Sequence, residues 1–289
     1  MRAIGLVPHP DRPAAHALAA TTASALVAQG IDVRVPDSLA DRVGLGQHRT
    51  PDQGFADGLD LVIALGGDGT MLHAVHAVYP HHVAILGVNA GRLGYLTTVE
   101  ADELAALLPV IVDDTVDAFD VSERMAIEAE IVPPEGPSRV AHALNEVVLE
   151  KIESGRLVDI SVSIGGSRFT TFSADGVIAA TPTGSTAYAF SARAPIVSPQ
   201  HRCLVIAPVA AHMLFDRTLV LGPDEQVEFE VGARPVAIAI DGHHGGDLSP
   251  GTRVMCRAAA DPVRIMTRRG RAFHQILREK FALPDREPS

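Results

Sequence analysis

The stretch 61–70 reads LVIALGGDGT, in which five apolar residues run into three glycines, an aspartate and a threonine. Five consecutive apolar residues are typical of a parallel strand that is buried on both faces. Residues 70–78 have helical patterning, so the glycines lie at a strand-to-helix turn. Similar elements are predicted on both sides, with strands at 3–7, 31–35 and 83–88 and helices at 14–29 and 104–111. This alternation predicts an α/β domain in which helices cover a parallel sheet.

The patterning changes from helical to alternating after about residue 115. Bulky apolar residues alternate with polar or small ones at 158–164, 227–231 and 236–240. Such a period of two residues is typical of antiparallel sheets with one buried face, and it predicts a β-sandwich. Near the end, Phe273, Ile276, Leu277 and Phe281 share one face of a helix, which we expect to return to the first domain. We therefore place an α/β domain at 1–115 together with a helix at 268–283, and an all-β domain at 116–267.

One connection in the first domain is unusually long. Residues 36–58 are mostly polar and contain two prolines and four glycines. Long connections of this kind are usually functional lids or disordered segments, so we expect a mobile loop.

Composition excludes several classes of partner. The chain has 289 residues, a formal net charge of -11, 4% aromatic residues and no tryptophan. A nucleic-acid or anionic-membrane binder needs a basic surface, so neither partner is expected. The longest apolar stretch, 203–211, falls far short of the roughly 18 residues that span a bilayer, and we expect a cytoplasmic protein. Cys203 and Cys256 form no CxxC pair and are predicted to be buried and reduced.

Lysine is rare in this chain. Only Lys151 and Lys280 occur among the 24 basic residues. Neither lies in a GxxxxGK[ST] phosphate loop, and the strand lysine and HRD loop of protein kinases are missing too. Any bound phosphate is therefore expected to contact backbone N–H groups and arginine.

The glycine turn at 66–70 is the strongest chemical signal. Glycines permit positive φ angles and close approach of a ligand, and N–H groups at a helix N-terminus bind anions. Asp68 would repel phosphate, so its presence there makes sense if it takes a proton from a hydroxyl group. The alternative is that Asp68 or Thr70 only caps the helix.

Two further polar clusters interrupt apolar surroundings. Asp175-Gly176 precedes TPTGSTAY at 181–188, whose hydroxyl groups suit hydrogen bonding to a base and a ribose. An ordinary Ser/Thr-rich capped turn is the alternative. Asn145-Glu146 lies between apolar residues, and a buried polar pair must find partners. Either ribose hydroxyls or protein groups at a strand edge could be the hydrogen-bond partners of this pair.

Four motifs occur in one order along the chain, namely GGDGT at 66–70, Asn145-Glu146, Asp175-Gly176 and TPTGSTAY at 181–188. In this combination the chain resembles the bacterial NAD kinases from about residue 60 to 245. Connecting segments are similar too, which are GVN at 87–89, Gly91, LGYL at 93–96 and PIV at 195–197.

The resemblance implies an N-terminal Rossmann-like α/β domain, a C-terminal β-sandwich domain that binds NAD, and a final helix that returns to the first domain. It implies transfer of the ATP γ-phosphoryl group to the adenosine 2′-hydroxyl of NAD, which gives NADP. Mg²⁺ is expected to come with the ATP phosphates, and the protein is expected to be a homodimer or homotetramer. Because a backbone phosphate site need not contact the nucleoside, inorganic polyphosphate is an alternative donor.

The resemblance also implies residue roles. Asp68 is the general base. The triphosphate would contact Gly66, Gly67, Gly69 and Thr70, and the ribose hydroxyls would contact Asn145 and Glu146. The two ends of NAD would contact Asp175, Thr186, Ala187, Tyr188 and Ser191. Further nucleotide contacts are implied for Thr183, His73, Arg156, Ala210 and His243, with Arg156 reaching a ligand of a neighbouring subunit.

Some positions depart from the family pattern. His73 replaces a usual arginine, Ser173 a basic residue, and Arg193-Ala194 a glycine pair, whose added side chains we expect at the rim of the pocket. We expect His73 on the helix surface or facing phosphates rather than binding a metal with His76, and no dedicated metal cage.

Two other functions remain as alternatives. A lipid or small-alcohol kinase of the same GGDGT superfamily would need an apolar substrate groove and would leave TPTGSTAY unexplained. A non-catalytic NAD(P)-binding sensor would keep its function after Asp68→Asn.

Overall fold

The computed structural model describes residues 1–91, 94–113, 118–270 and 272–284. The chain forms two compact units. The first comprises Met1–Glu123 and Val263–Ser289, and the second comprises Arg124–Pro262. The predicted boundary at residues 115 and 116 lies outside the described residues.

The first unit begins with alternating strands and helices, as predicted. Its elements in this part of the chain are β1 (Ala3–Pro8), α1 (Pro13–Ala28), β2 (Asp32–Pro36), α2 (Asp37–Ala40), β3 (Arg49–Thr50), β4 (Leu61–Gly66), α3 (Asp68–Val78), β5 (Ala84–Asn89), β6 (Val99–Glu100), α4 (Leu104–Asp113) and β7 (Phe119–Arg124).

The second unit is built almost entirely of strands. Its elements are β8 (Ile127–Val132), β9 (Arg139–Ala143), β10 (Glu146–Lys151), β11 (Val158–Ile164), β12 (Ser167–Ala174), β13 (Gly176–Ala180), α5 (Tyr188–Ser191), β14 (Leu204–Val209), β15 (Leu219–Leu221), β16 (Val227–Val231), β17 (Val236–Ile240), β18 (His243–Leu248) and β19 (Arg253–Ala258). The chain then returns to the first unit with β20 (Val263–Arg268) and α6 (Phe273–Lys280).

The sheet of the first unit has the order β3-β2-β1-β4-β5-β20-β7, with β6 also paired to β5. Each strand from β3 to β20 in this order is parallel to its neighbour. Parallel neighbours require crossover connections, which helices supply between the strands from β1 to β5. β1, β4 and β5 are buried along their whole length, which explains their unbroken apolar runs. The α/β prediction is confirmed.

The second unit contains two antiparallel sheets in the described residues, with orders β15-β14-β13-β10-β17-β18 and β12-β11-β16-β19-β8-β9. Alternate residues of both sheets meet in one apolar core, which includes Val147, Ile160, Phe229 and Ile238. This arrangement confirms the predicted all-β domain. The cysteines Cys203 and Cys256 are both buried and free, as predicted.

The predicted final helix is present but shorter than 268–283, since Arg268 still belongs to β20, and Phe281 lies after the helix and is exposed. α6 belongs to the first unit, and Ile276 on its apolar face is buried. No helix in the described ranges has the length and apolar character required to cross a membrane.

The prediction of a mobile loop at 36–58 is wrong. This segment contains α2, a short 3₁₀ helix at Gly46–His48 and β3, which extends the parallel sheet beside β2. Its apolar residues are buried, and Phe55 is only 1% exposed. The Phe55 ring lies so close to Gly5 that a Cβ atom there would be 2.7 Å from Cζ. A few buried side chains therefore fix a segment whose composition is mostly polar.

Phe55→Ala should lower the free energy of unfolding by about 3–5 kcal/mol, because the substitution empties a buried aromatic site. Urea denaturation measures the change. Gln53→Ala, at an exposed position two residues earlier, is the control and should change stability little. Equal stability of the two variants would contradict the ordered packing of this segment.

Candidate active site

The glycine turn connects β4 to α3 in the first unit. None of its three glycines has a positive φ angle, so that part of the predicted reason for them is wrong, while close approach of a ligand stays a prediction. Gly66 is required by a close approach instead, since a Cβ atom there would lie 2.1 Å from the Thr70 hydroxyl oxygen. A Cβ atom at Gly67 or Gly69 would meet nothing within 4 Å. The side-chain positions at these two glycines thus face open space in the described residues.

Asp68 is the first residue of α3, and its carboxylate contacts the backbone of Tyr95 and Leu96. No side chain caps the helix at Gly67, so the capping alternative for Asp68 and Thr70 is wrong. The Asp68 carboxylate instead accepts hydrogen bonds from two consecutive backbone N–H groups, those of Tyr95 to Oδ2 and Leu96 to Oδ1, both at 2.9 Å. The carboxylate is held in place while its side chain remains 32% exposed.

Gly94 makes this arrangement possible. A Cβ atom at Gly94 would lie 2.1 Å from Asp68 Oδ1. The LGYL segment at 93–96 therefore brings its N–H groups to the carboxylate only because residue 94 has no side chain. Leu93 itself lies outside the described residues.

Two hydroxyl groups near this turn are buried without a hydrogen-bond partner. They belong to Thr70, 5% exposed, and Thr97, 2% exposed. A buried polar atom without a partner costs free energy unless a ligand or water satisfies it. Thr70 was a predicted site residue, whereas sequence reasoning missed Thr97, whose neighbours are apolar or small.

Lys280 was also missed. Its ammonium nitrogen lies 3.8 Å from Asp68 Oδ2 and 3.8 Å from the centre of the Tyr95 ring. A lysine ammonium group therefore lies beside the glycine turn, in addition to the backbone N–H groups predicted there. Burial, and then the charge of Asp68, raise the pKa of Tyr95 above its usual value. Nothing in the local sequence around Lys280 indicates that it reaches the glycine turn.

In the second unit, the TPTGSTAY turn packs against Leu144 and Asn145. The Thr181 hydroxyl donates to the Leu144 carbonyl at 2.5 Å, and the Thr181 N–H donates to the Asn145 carbonyl at 2.9 Å. A Cβ atom at Gly184 would lie 2.0 Å from the Asn145 carbonyl oxygen. The two predicted motifs are thus brought together, and Gly184 is required for their close approach.

Asp241 holds the Asn145-Glu146 motif from the other side. Its carboxylate accepts hydrogen bonds from the N–H groups of Leu144 at 2.8 Å, Asn145 at 2.7 Å and Glu146 at 3.1 Å. Asp241 is 4% exposed and has a φ of 48°. The sequence offers one signal for Asp241, an Asp-Gly step directly after the alternating strand at 236–240.

Glu146 is buried at 5% exposure. Burial, and secondarily the negative charge of Asp241, raise its pKa to about 7, against the lowering effect of a hydrogen bond from the Tyr188 N–H. Its Oε2 atom has no hydrogen-bond partner in the protein. Glu146 and Tyr188 are therefore neighbours, and one carboxyl oxygen remains for a ligand.

The hydroxyl groups of TPTGSTAY have two different functions. The Ser185 hydroxyl donates to the Pro182 carbonyl at 2.6 Å and accepts from the Val197 N–H at 2.9 Å, so it fixes the turn. Thr186 donates to the Thr183 carbonyl at 3.2 Å, while the buried Thr183 hydroxyl has no partner. The remaining predicted contacts in this turn are more accessible, with Ala187 half-buried and Tyr188 and Ser191 exposed on α5.

The Arg193-Ala194 pair ends α5. Arg193 has a φ of 63°, a conformation that costs residues other than glycine roughly 1–2 kcal/mol. Its N–H donates to the Phe190 carbonyl, and the Ala194 N–H donates to the Ala189 carbonyl, both at 3.0 Å. Ala194 is buried in an apolar cluster, so the expectation that both side chains lie at the pocket rim is wrong for Ala194.

Asp175 forms an ion pair with Lys151, with 2.5 Å between Nζ and Oδ1. The Lys151 N–H also donates to the Asp175 carbonyl at 2.8 Å. The side chains are 27% and 34% exposed, respectively. A basic side chain therefore lies beside Asp175 although residue 173 is serine, and sequence reasoning had given Lys151 no role.

Other predicted contacts lie on the surface of their own unit. His73, Ala210 and His243 are exposed. Arg156 is 66% exposed, 3.9 Å from Glu153, and lines a cavity of about 130 Å³ with Lys151 and Arg234. No group of three or more His, Cys, Asp or Glu side chains that could hold a metal ion occurs in the part of the chain that the structure describes.

Glu146→Gln should change how stability depends on pH. The folded protein binds the Glu146 proton more tightly than the unfolded chain does, so the free energy of unfolding falls as pH rises from 4.5 to about 7. The glutamine variant should lose this fall, which is on the order of 3 kcal/mol for one buried carboxyl. Chemical denaturation at pH 5 and pH 8 measures it, with exposed Glu230→Gln as control. Identical pH dependence of Glu146→Gln and the unmodified protein would contradict the assignment.

Comparison with known proteins gives the family. Residues 4–116 match the ATP-NAD kinase N-terminal domain, and residues 144–267 match the ATP-NAD kinase C-terminal domain. NAD kinase 2 of Streptomyces avermitilis is 36% identical over 291 residues, with 98% of this chain and 95% of that protein covered. NAD kinase of Symbiobacterium thermophilum is also 36% identical, with 96% and 98% covered.

Solved structures share the fold. Yeast NADH kinase complexed with NADH superposes with a TM-score of 0.91 at 23% identity and covers 100% of this chain and 89% of that one. An NAD kinase from Archaeoglobus fulgidus in complex with ATP has a TM-score of 0.74 at 20% identity, with 98% of each chain covered. The two domain matches and the near full-length relatives agree with the resemblance of the four motifs, and the chain belongs to the ATP-NAD kinase family.

Proposed function

We propose that this chain transfers the γ-phosphoryl group of ATP to the adenosine 2′-hydroxyl of NAD and that Asp68 is the general base. Membership of the ATP-NAD kinase family supports the reaction. The observation that carries the catalytic assignment is the Asp68 carboxylate, which two backbone N–H groups hold beside a glycine turn. A carboxylate fixed at a phosphate-binding turn can accept a proton without having to reorganise first.

The glycine turn would bind the triphosphate. Gly67 and Gly69 present backbone without overlying side chains, and α3 is an 11-residue helix that starts at this point. N–H groups at a helix N-terminus favour anions. The unpartnered Thr70 hydroxyl, which would donate to a phosphate oxygen, adds to this support.

The proposed phosphoryl transfer forms two bonds and breaks two. An Asp68 oxygen accepts the proton of the 2′-hydroxyl group while the 2′-oxygen forms a bond to the γ-phosphorus. The bond between that phosphorus and the bridging oxygen of ADP breaks, and ADP leaves with the electron pair. Phosphoryl transfer depends mainly on positioning and charge stabilisation, and a general base contributes typically about 10²–10⁴-fold.

The residues around the turn fit a Mg²⁺ ion that arrives bound to ATP. Mg²⁺ keeps several waters and commonly uses substrate phosphates plus one or two carboxylates. The donor set fits this mode, because the Asp68 carboxylate lies at the turn. When bound, the ion would neutralise phosphate charge, and the turn would hold it through the phosphates.

The second unit would bind NAD. Glu146, with one unpartnered buried oxygen, and Asn145 beside it would contact ribose hydroxyls. The buried Thr183 hydroxyl is also available for a ligand. The other proposed contacts are Asp175, Thr186, Ala187, Tyr188 and Ser191, with Arg156, Ala210, His243 and, in the first unit, His73 as weaker assignments.

We propose that the protein is a cytoplasmic homodimer or homotetramer and that inorganic polyphosphate is an alternative phosphoryl donor. The lipid-kinase and sensor functions are not favoured, because the family matches cover both units of the chain.

Asp68→Asn should lower kcat by about 10²-fold or more while NAD affinity stays within a few-fold, because the proton acceptor is lost and the shape is kept. Coupled NADP formation and NAD titration measure the two quantities. Exposed Asp57→Asn in the same unit is the control. Unchanged turnover of Asp68→Asn would refute the general-base assignment.

Tyr188→Ala should raise the KM for NAD more than the KM for ATP, because the exposed ring on α5 would lose its contact with one end of NAD. Steady-state kinetics with each substrate varied in turn give both constants. Phe190→Ala, exposed on the same short helix, is the control. A selective loss of ATP binding would show that the second-unit site is wrongly assigned.

A further inference from the structure

Lys280 lies near the end of α6 and reaches the phosphate-binding turn of its own unit. Its helix is fixed at the start by a hydrogen bond from the Ala272 N–H to the Gln275 side chain at 3.0 Å, and by the buried Ile276. The position of the Lys280 side chain therefore follows from the packing of α6, although more than 200 residues separate it from Asp68 in the sequence.

The ammonium group has two partners at the same distance. It lies 3.8 Å from Asp68 Oδ2 and 3.8 Å from the centre of the Tyr95 ring. A cation within about 6 Å of a ring centre is attracted to its face. Tyr95 is also the residue whose N–H donates to the same Asp68 oxygen. One residue thus holds both the carboxylate and the cation beside it.

A purely structural role does not account well for this contact. The separation exceeds hydrogen-bond distance, and the two side chains are 30% and 32% exposed. Ion pairs with such access to solvent contribute only about 0–1 kcal/mol to stability. Among the described residues, the pair is also one of two lysine ion pairs, in a chain that uses arginine for its other 22 Lys and Arg positions.

We propose that Lys280 is a positioning residue for phosphoryl transfer, which acts through Asp68. The ammonium group and the two backbone N–H groups would restrict the carboxylate to one orientation, which leaves the second lone pairs of its oxygens to accept the proton of the acceptor hydroxyl. This inference rests on the proposed function of Asp68. It would give the C-terminal helix a role in positioning the catalytic carboxylate.

The test compares Lys280→Gln with Lys280→Arg and with Arg278→Gln. The last is the matched control, because it removes one positive charge from an exposed position on the same helix. Lys280→Gln should lower kcat by about 10-fold or more, with the KM values for NAD and ATP within about three-fold, since an orientation rather than a binding contact is lost. Lys280→Arg should recover kcat to within about three-fold of the unmodified protein. The melting temperatures of all three variants should stay close to that of the unmodified protein, because exposed ion pairs contribute little to stability.

Several results would overturn the proposal. For Lys280→Gln, these are a kcat within two-fold of the Arg278→Gln control, or a rise in KM without loss of kcat. A kcat for Lys280→Arg no better than that for Lys280→Gln would also contradict it. So would a lowered melting temperature of Lys280→Gln that accounts for its loss of kcat.

A double variant separates this proposal from that for Asp68. If Lys280 acts through Asp68, Lys280→Gln should cause little further loss in an Asp68→Asn background, because residues that act as a unit are not additive. A full additional loss would show that Lys280 acts independently and would contradict the proposal. Wild-type turnover of Asp68→Asn alone would instead refute the general base, whatever Lys280→Gln does in the unmodified background.

Discussion

The hydrogen bonds from the Tyr95 and Leu96 N–H groups to the Asp68 carboxylate are the constraint on which the chemistry of the first unit depends. They require a residue without a side chain at Gly94 and a turn that starts α3 at Asp68. The parallel sheet places both segments after neighbouring strands, β4 and β5, so their ends lie at the same edge. The fold thus fixes a carboxylate beside the glycine turn, where our proposal places the proton acceptor.

The second unit uses a carboxylate for the opposite purpose. Asp241 is buried and accepts three backbone N–H groups, so it organises a turn and has no role in proton transfer in our account. This turn presents Glu146, whose buried carboxyl group has an oxygen without a partner and a pKa near 7. A site that leaves polar atoms unpaired is suited to a polar ligand, because binding satisfies them.

The sequence predicted those features that depend on local pattern. Apolar runs located β1, β4 and β5, and the four motifs located Asp68, Glu146 and Tyr188 with the family. Features that depend on distant packing were missed. Lys280 and Lys151 lie in no recognisable motif. The burial of Phe55 could not be predicted because the surrounding segment, 36–58, is mostly polar. For the glycines of the turn, the predicted positive φ angles are absent, and the close approach of the Thr70 side chain is what requires Gly66.

The identity of the phosphorylated hydroxyl tests the central claim most directly. The unmodified protein would be incubated with NAD, ATP and Mg²⁺, and the product would be analysed by phosphorus NMR and by its reactivity with an NADP-dependent dehydrogenase. Our account predicts one new phosphomonoester, on the adenosine 2′-hydroxyl, formed in equal amount with ADP. A phosphate on any other hydroxyl, or ADP formed without a new ester, would contradict it.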